Sequence, residues 1–231
     1  TLIATINWFA KLGIFIQEAY AMTENTCYSH VTLKDNIRVG YVGQALPKCE
    51  VKFSQEKEIL IKHEALMLGY YKDIDKTNEI IKDGWLHTGD EGEIDKDGFL
   101  RITGRVKDIF KTSKGKYIAP SPIEMKLSEN SNIEQVCVVG TGIPQPIALV
   151  VLSDNAKKSI NYKASIEETL KDVNQTLDKH EAIHNLIVVD DVWTVENKFL
   201  TPSMKIKRKT IEKKYQANYS TWYDQNNIIV L

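Results

Sequence analysis

Cysteine is scarce in this sequence of 231 residues, and charge of neither sign is in excess. The three cysteines, Cys27, Cys49 and Cys137, are odd in number and far apart, which argues against a disulfide framework and fits a reducing cytoplasm. No close pair of cysteines suggests a zinc site. Because 30 basic residues almost balance 31 acidic ones, the charge gives no reason to expect a nucleic-acid or anionic-membrane partner.

Long apolar runs are also missing. The most apolar segment, residues 1–16, is interrupted by Asn7 and Lys11 and is too short to span a bilayer. It lacks the basic start and the small-residue cleavage site of a signal peptide. We therefore predict no transmembrane segment, and instead a buried helix over residues 2–12 followed by a short strand over residues 14–16.

The beginning of the chain predicts an incomplete domain. Core-like sequence starts at residue 2 without an initiator methionine, so we expect the chain to begin in the middle of a domain. Apolar side chains there would have too few partners to be covered, and exposed apolar patches drive association. We therefore expect the chain to self-associate through this surface. The side chains concerned are Leu2, Ile3, Ile6, Phe9, Leu12, Ile14 and Ile16.

The first half of the chain has the pattern of strands and turns. Predicted strands cover residues 49–53, 58–62, 92–95 and 99–103. The quartet Asp95-Lys96-Asp97-Gly98 is typical of a hairpin turn between the last two strands. Asp73 is predicted to cap a short helix that runs through Ile81.

The second half alternates between helical and strand patterns. Ser121-Pro122-Ile123-Glu124 predicts a capping box with proline at the first helical position, and the helix should run to about Asn130. Further helices are predicted over residues 165–179 and, as a basic closing helix, over residues 205–215. The predicted strands cover residues 136–139, 147–152 and 186–189 and would form one three-stranded sheet. The chain is therefore predicted to be α+β.

Two motifs have spacings that suggest metal sites. His180-Glu181-Ala182-Ile183-His184 has the zincin spacing, but a strand follows almost at once and no third ligand is evident, so two surface histidines are the favoured interpretation. Asp95-Lys96-Asp97-Gly98 looks like a broken calcium loop that lacks the third acidic position before the glycine and is flanked by strands. Its turn chemistry favours the hairpin.

A stronger signal comes from four short motifs that occur in one order. They are Tyr20-Ala21-Met22-Thr23-Glu24, Trp85-Leu86-His87-Thr88-Gly89-Asp90, residues 102–113 running into Gly115-Lys116-Tyr117, and residues 199–208. In this order they resemble the adenylate-forming (AMP-binding, acyl-CoA synthetase) superfamily, and within it the bacterial long-chain fatty acyl-CoA synthetases. The resemblance covers nearly the whole chain.

The resemblance implies a domain organisation and a reaction. Residues 1–104 would be the C-terminal, β-rich remnant of the large adenylate-binding domain, and residues 105–231 a small, mobile α+β domain with its hinge near Lys107. The reaction would be ATP-dependent adenylation of a fatty acid, followed by thioester formation with CoA. The expected partners are these small molecules together with Mg²⁺, and no nucleic acid. A cytoplasmic location is expected, with peripheral attachment at the inner membrane face left open.

The resemblance also implies a nucleotide site. Tyr20 would stack on adenine, Thr23 would hydrogen-bond the α-phosphate and Glu24 would help to hold Mg²⁺. Asp90 would accept both ribose hydroxyls, as an ionised carboxylate can, and Arg105 would meet the same hydroxyls. Without the resemblance these residues would be interpreted as an ordinary core or rim tyrosine, two turn residues, a turn cap and half of a surface ion pair.

Catalysis would depend on Lys205, together with Thr23 and Glu24. A flexible stem with a compact charge suits a group that must reach the reacting phosphate and leave again. Lys107 would occupy the hinge, and Gly115 would let the backbone approach the pantetheine arm of CoA. The alternatives are a solvated basic helix face for Lys205, a surface lysine for Lys107 and a simple loop glycine.

A phosphate loop is absent from the sequence. No Ser/Thr/Gly-rich loop precedes Tyr20 and no Walker-type motif occurs. We therefore expect the 231 residues to be inactive by themselves. Within the resemblance, residues 108–113 followed by residues 115–117, and residues 200–202, favour the fatty-acid branch. The alternatives are an adenylate-forming enzyme for another carboxylic acid and a non-catalytic or partner-completed binding module.

Overall fold

The computed structural model describes residues 3–225 and 229–230. The chain divides into two compact units, Thr1–Lys107 and Asp108–Leu231. The predicted boundary, after residue 104, lies three residues before this division at Lys107. Both units combine helices with strand-rich sheets, so the predicted α+β class is confirmed. Among the described residues, no helix is long and apolar enough to cross a membrane.

The first unit contains two antiparallel sheets. The strands of the smaller sheet are β1 (Ala19–Tyr20), β2 (His30–Val31) and β3 (Gln44–Ala45). The strands of the larger sheet are β4 (Glu50–Phe53), β5 (Glu58–Lys62), β6 (Ile81–Lys82), β7 (Trp85–Ile94) and β8 (Leu100–Arg105). Strand β7 is the centre of the larger sheet because it pairs with β5, β6 and β8.

The predicted hairpins and the helix cap are confirmed, but β7 begins at Trp85, seven residues before the strand predicted from residue 92. Strands β4 and β5 form a hairpin, and β7 and β8 form another around Asp95-Lys96-Asp97-Gly98. Helix α2 (Ile74–Ile80) is capped by Asp73, whose side chain accepts the Lys76 backbone N–H at 3.0 Å. The helix ends one residue earlier than predicted because Ile81 pairs with β7 instead.

The predictions for the beginning of the chain are partly wrong. Helix α1 spans Ile3–Lys11, but residues 14–16 form no strand, and Ile14 is exposed. The Ile14 N–H bonds back to the Phe9 carbonyl and closes the helix end. Ile6 is buried, so it does not belong to an uncovered surface, whereas Leu12 is exposed. Leu2 lies outside the described residues. Self-association through this region stays a prediction.

The second unit begins with a hairpin and contains a four-stranded sheet. The hairpin strands are β9 (Phe110–Lys111) and β10 (Tyr117–Ile118). The sheet strands, in spatial order, are β11 (Ile133–Val139), β12 (Ile147–Leu152), β13 (Leu186–Val188) and β14 (Ile229–Val230). The prediction of three strands is wrong because β14 is too short to show a strand period in the sequence. Strands β11 and β12 are antiparallel, and the other pairs are parallel.

Helices cover both faces of this sheet. They are α3 (Pro120–Leu127), α4 (Asp154–Lys158), α5 (Tyr162–Gln175), α6 (Arg208–Tyr215) and α7 (Tyr219–Tyr223). Alternate strand residues point to opposite faces. Accordingly Val138 and Val150 lie in the apolar cluster that includes side chains of α3 and α5. Cys137 and Leu149 lie in the cluster that includes side chains of α6 and α7.

A buried ion pair replaces the predicted capping box. The N-cap of α3 is Ala119, without a side-chain cap, and Glu124 instead contacts Arg208 through two hydrogen bonds of 2.7 and 2.9 Å. Glu124 also accepts the Val138 N–H at 2.6 Å, and Arg208 donates to the Val138 carbonyl at 2.7 Å. Burial alone would lower the pKa of Arg208, but the neighbouring Glu124 carboxylate raises it. The arginine therefore stays charged.

Replacing Glu124 by alanine should destabilise the second unit by about 3–5 kcal/mol, because Arg208 would be left buried without its counter-charge. Hydrogen–deuterium exchange of peptides from β11 and β12 should accelerate accordingly. Glu129→Ala removes an exposed carboxylate just beyond the same helix and should leave exchange unchanged. Equal protection in the two variants would contradict the prediction.

Candidate functional site

A bulge in β7 shapes the candidate site of the first unit. Leu60 of β5 pairs with His87 and Glu58 pairs with Glu91, so one residue of β5 faces three residues of β7. The middle one, Gly89, has φ +73°, a conformation that side-chain-bearing residues rarely adopt. A bulge of this kind bends the strand and changes the direction of the side chain that follows. Here that side chain belongs to Asp90.

The Asp90 carboxylate is the centre of a small polar network. Tyr20 donates its hydroxyl to one oxygen at 2.8 Å, and the Arg105 Nε donates to the other at 2.7 Å. The Asp90 side chain is 15% exposed and that of Arg105 54%, so the network opens to solvent on the arginine side. An ionised carboxylate has about four acceptor positions. Both oxygens therefore keep acceptor capacity for a ligand's hydroxyl groups.

The Tyr20 hydroxyl is a stable donor. Burial, and secondarily the negative charge of Asp90, raise the pKa of the Tyr20 phenol well above its usual value. It therefore keeps its proton at neutral pH. The structure thus gives Tyr20 a contact that was not part of its predicted role, because the residue holds Asp90 through its hydroxyl as well as presenting a ring.

Thr23 and Glu24 lie in a short 3₁₀ turn, Thr23–Asn25, just after β1. The buried Asn25 side chain accepts the Met22 N–H at 3.0 Å and fixes this turn. Thr23 is exposed, whereas Glu24 is partly buried. The Glu24 carboxylate accepts a hydrogen bond of 2.8 Å from the hydroxyl of Tyr70.

Sequence reasoning missed Tyr70. Burial and then the neighbouring Glu24 raise the pKa of the Tyr70 phenol to about 12, so this group also donates at neutral pH. The Lys76 ammonium lies 4.3 Å from the centre of the Tyr70 ring. The two partners, Glu24 and Tyr70, are 46 residues apart, and nothing in the local pattern around Tyr70 signals their contact.

Glu24 is the carboxylate that could hold a magnesium ion. Among the described residues, no three His, Cys, Asp or Glu side chains lie together as a metal cluster. Mg²⁺ in nucleotide enzymes usually takes one or two carboxylates and completes its shell with water and phosphate oxygens. The single carboxylate of Glu24 fits that type of site.

The two metal-like motifs adopt other structures. Helix α5 ends at Gln175, so His180 and His184 do not share a helix, and the His184 ring stacks on Tyr223 with centroids 4.1 Å apart. Asp95 and Asp97 both accept hydrogen bonds from Arg38. The hairpin interpretation of this second motif is confirmed.

Lys205 lies in the second unit, on a turn and not on a helix. The Thr201 N–H bonds to the Lys205 carbonyl at 2.8 Å, and the Lys205 N–H bonds to the Thr201 hydroxyl at 3.0 Å. Helix α6 starts at Arg208, so the predicted helix start at residue 205 is wrong. The Lys205 side chain is exposed, and none of the ion pairs found among the described residues includes it.

Gly115 lies in a turn of the second unit, and Lys107 lies at the end of the first unit. Gly115 lies in the turn between β9 and β10 with φ +78°, and its N–H bonds to the Thr112 carbonyl at 2.9 Å. Lys107 is exposed, contacts Glu79 at 3.4 Å and is the last residue of the first unit. The structure therefore joins Tyr20, Asp90 and Arg105 directly, while Lys205 and Gly115 belong to the other unit.

Comparison with known proteins agrees with the resemblance of the motifs. Residues 107–227 match the family of AMP-binding enzyme C-terminal domains. The chain is 33% identical to long-chain-fatty-acid–CoA ligase 5 from Rattus norvegicus, with 93% of the chain matched to 36% of that protein. It is 29% identical to long-chain-fatty-acid–CoA ligase FadD15 from Mycobacterium bovis, with 95% matched to 40%. The chain thus spans about two fifths of these relatives.

The fold of this chain is also similar to those of solved structures. ATP-bound MatB from Rhodopseudomonas palustris has a TM-score of 0.73 at 26% identity, covering 94% of this chain and 44% of that one. The o-succinylbenzoate CoA synthetase of Bacillus subtilis, in complex with its acyl-adenylate intermediate, has a TM-score of 0.76 at 22% identity, covering 92% and 44%. The second likeness shows the fold alone.

Proposed function

Because the chain belongs to the family of adenylate-forming, AMP-binding enzymes, we propose that it is part of a long-chain fatty acid–CoA ligase. In this proposal residues 1–107 contribute the adenosine side of the active site, and residues 108–231 contribute the catalytic lysine and the loop beside CoA. The relatives reported above, which are long-chain fatty acid–CoA ligases, support the choice of substrate.

One observation carries the proposal: the Asp90 carboxylate lies at a strand bulge between a partly buried phenol and a half-exposed guanidinium. A carboxylate fixed in this way is suited to accept two adjacent hydroxyl groups, such as those of a ribose. Arg105, on the solvent side, can donate to the same hydroxyls. The ring of Tyr20 then offers a face for the adenine.

The reaction would proceed in two steps. The fatty-acid carboxylate attacks the α-phosphorus of ATP, pyrophosphate leaves, and the CoA thiol then displaces AMP from the acyl-adenylate. Thr23 would donate to the α-phosphate, and Mg²⁺ held by Glu24 would supply charge neutralisation there. Lys205 would place its ammonium beside the reacting carboxylate and phosphate in the first step, because it is exposed and lacks an ion-pair partner among the described residues. In the second step the Gly115 turn would lie beside the pantetheine arm.

In this proposal the second unit contributes Lys205 in the first step and the Gly115 turn in the second, and the change between them needs a hinge. We propose that Lys107 is this hinge. The first unit ends at this residue, and among the residues that the structure describes the Lys107 ammonium makes one ion pair, a surface contact with Glu79. Exposed pairs of this kind contribute about 0–1 kcal/mol. Such a weak contact would not resist a rotation of the backbone at this position.

The first test is AMP binding by the 231-residue chain, measured by ligand-observed NMR. Asp90→Ala should weaken binding about tenfold or more, since a hydrogen bond to a charged group contributes about 1.5–3 kcal/mol. Asp75→Ala, an exposed aspartate on α2, removes the same charge and should bind AMP like the wild type. Equal affinity in all three proteins would count against the ribose role.

A second prediction concerns the two half-reactions in the complete ligase. Lys205→Ala should slow adenylation about a hundredfold or more, the usual effect of removing one group that stabilises charge in the transition state. Thioester formation from supplied acyl-adenylate should change much less, because the lysine acts only in the first step. Lys209→Ala, an exposed lysine on α6, is the matched control. Equal losses in both steps would make Lys205 structural.

A third prediction concerns the 231 residues by themselves. They contain no phosphate loop to orient the β- and γ-phosphates, and the geometry at phosphorus is the main catalytic contribution in such a transfer. Fatty-acid-dependent exchange of labelled pyrophosphate into ATP should therefore stay at background. Exchange above background that disappears in Lys205→Ala would show a self-sufficient ligase.

A further inference from the structure

A second carboxylate, that of Glu58, binds the β7 bulge from the side of β5. One oxygen accepts the Gly89 backbone N–H at 2.8 Å, and the other contacts the His87 Nδ1 at 2.8 Å. The imidazole must be the donor in the second contact because a carboxylate only accepts. The Glu58 side chain is 17% exposed and that of His87 25%. Glu58 thus bonds to His87 and Gly89, which lie three positions and one position before Asp90.

The bulge explains why a carboxylate is needed there. The extra residues of β7 have no ladder partners on β5, and an unsatisfied N–H in a partly buried strand is costly. The Gly89 N–H finds its acceptor in the Glu58 side chain. The neighbouring residue of β5 completes the arrangement: the Thr88 hydroxyl donates to the Ile59 carbonyl at 2.8 Å and accepts the Asp90 N–H at 3.2 Å.

Glu58 and Ile59 of β5 therefore fix residues 87–89 of β7. Asp90 is the next residue in the chain. Gly89 has open space where a Cβ would lie, so packing does not set its conformation. Hydrogen bonds to Glu58 and Ile59 hold the turned backbone on its β5 side. The direction of the Asp90 side chain depends on that backbone.

We propose that Glu58 is a positioning residue that holds the β7 bulge so that Asp90 can accept the ribose hydroxyls of the nucleotide. This inference rests on the proposed function. The competing interpretation is an ion pair between Glu58 and His87 that stabilises the sheet and has no effect on ligand recognition. The two interpretations differ in which part of the ligand is affected when the carboxylate is removed.

The experiment compares AMP with 2′,3′-dideoxy-AMP, which lacks both hydroxyls, on the 231-residue chain. The wild type should bind AMP more tightly, and Glu58→Ala should lose about tenfold in AMP affinity, the size of one hydrogen bond to a charged group. Its affinity for the dideoxy analogue should stay the same. Glu58→Gln keeps an oxygen for the Gly89 N–H and should restore most of the AMP affinity. Glu56→Ala, an exposed glutamate two residues away, is the matched control.

A second measurement tests whether the effect of Glu58 on AMP affinity depends on Asp90. The double variant Glu58→Ala with Asp90→Ala should bind AMP no more weakly than Asp90→Ala alone, because both substitutions remove the same interaction. The Gly89 amide proton signal should move upfield and exchange faster in Glu58→Ala and stay near its wild-type position in Glu58→Gln. This readout needs no ligand and shows directly whether the bulge has lost its acceptor.

The outcomes separate the two hypotheses. If AMP and the dideoxy analogue lose affinity equally in Glu58→Ala, or if neither does, Glu58 does not position Asp90 and the inference is wrong. Additive losses in the double variant would also overturn it. If the wild-type chain binds both nucleotides equally, the ribose role of Asp90 fails, and the proposed function fails with it.

Discussion

The ion pair between Glu124 and Arg208 is the contact on which the second unit depends. It lies at β11, the edge strand of the sheet, where Val138 would otherwise present an unpaired N–H and carbonyl. Glu124 accepts a hydrogen bond from the Val138 N–H, and Arg208 donates one to the Val138 carbonyl. The two side chains also neutralise each other's charge. An exposed edge is a site for unwanted strand pairing. The same contact joins α3 to the start of α6.

The position of Lys205 follows from this pair. Arg208 is buried and is the first residue of α6, so the chain just before it ends at a fixed place. The turn from Thr201 to Lys205 precedes that point and is closed by two hydrogen bonds. The backbone of the turn is therefore held while the lysine side chain remains exposed. An exposed cation with a flexible stem on a fixed turn suits the role proposed for Lys205.

In the first unit a carboxylate likewise accepts a hydrogen bond from a backbone N–H that has no partner in the strand ladder. The bulge of β7 is an irregularity that a regular hairpin would avoid, and its backbone donor is satisfied by Glu58. The irregularity separates Asp90 from the ladder with β5, while Asp90 still pairs with Arg105 of β8 and lies beside Tyr20. Bulges near functional sites commonly serve to direct one side chain. Polar groups in both units thus fix the backbone that carries the proposed ligand-binding residues.

Several elements could be predicted because their signals are local. The hairpin turn at Asp95-Lys96-Asp97-Gly98 and the Asp73 helix cap need only neighbouring residues, and both were found. The capping box at Glu124 failed because a buried arginine 84 residues later competes successfully for the carboxylate. The helix start at Lys205 failed for the related reason that Arg208 sets where the helix begins. Local propensity gives way where a buried charge must be paired.

The sequence by itself determined the α+β class, the main hairpins and, through four ordered motifs, the family and the residue types of the candidate site. Only the tertiary structure decided how those residues are connected. Tyr20 and Asp90 are 70 residues apart, Glu58 and Gly89 are 31 apart, and Glu24 and Tyr70 are 46 apart. Hydrogen bonds between such distant groups leave no period in the sequence, because they arise only when separate strands come together and their buried polar groups must find partners.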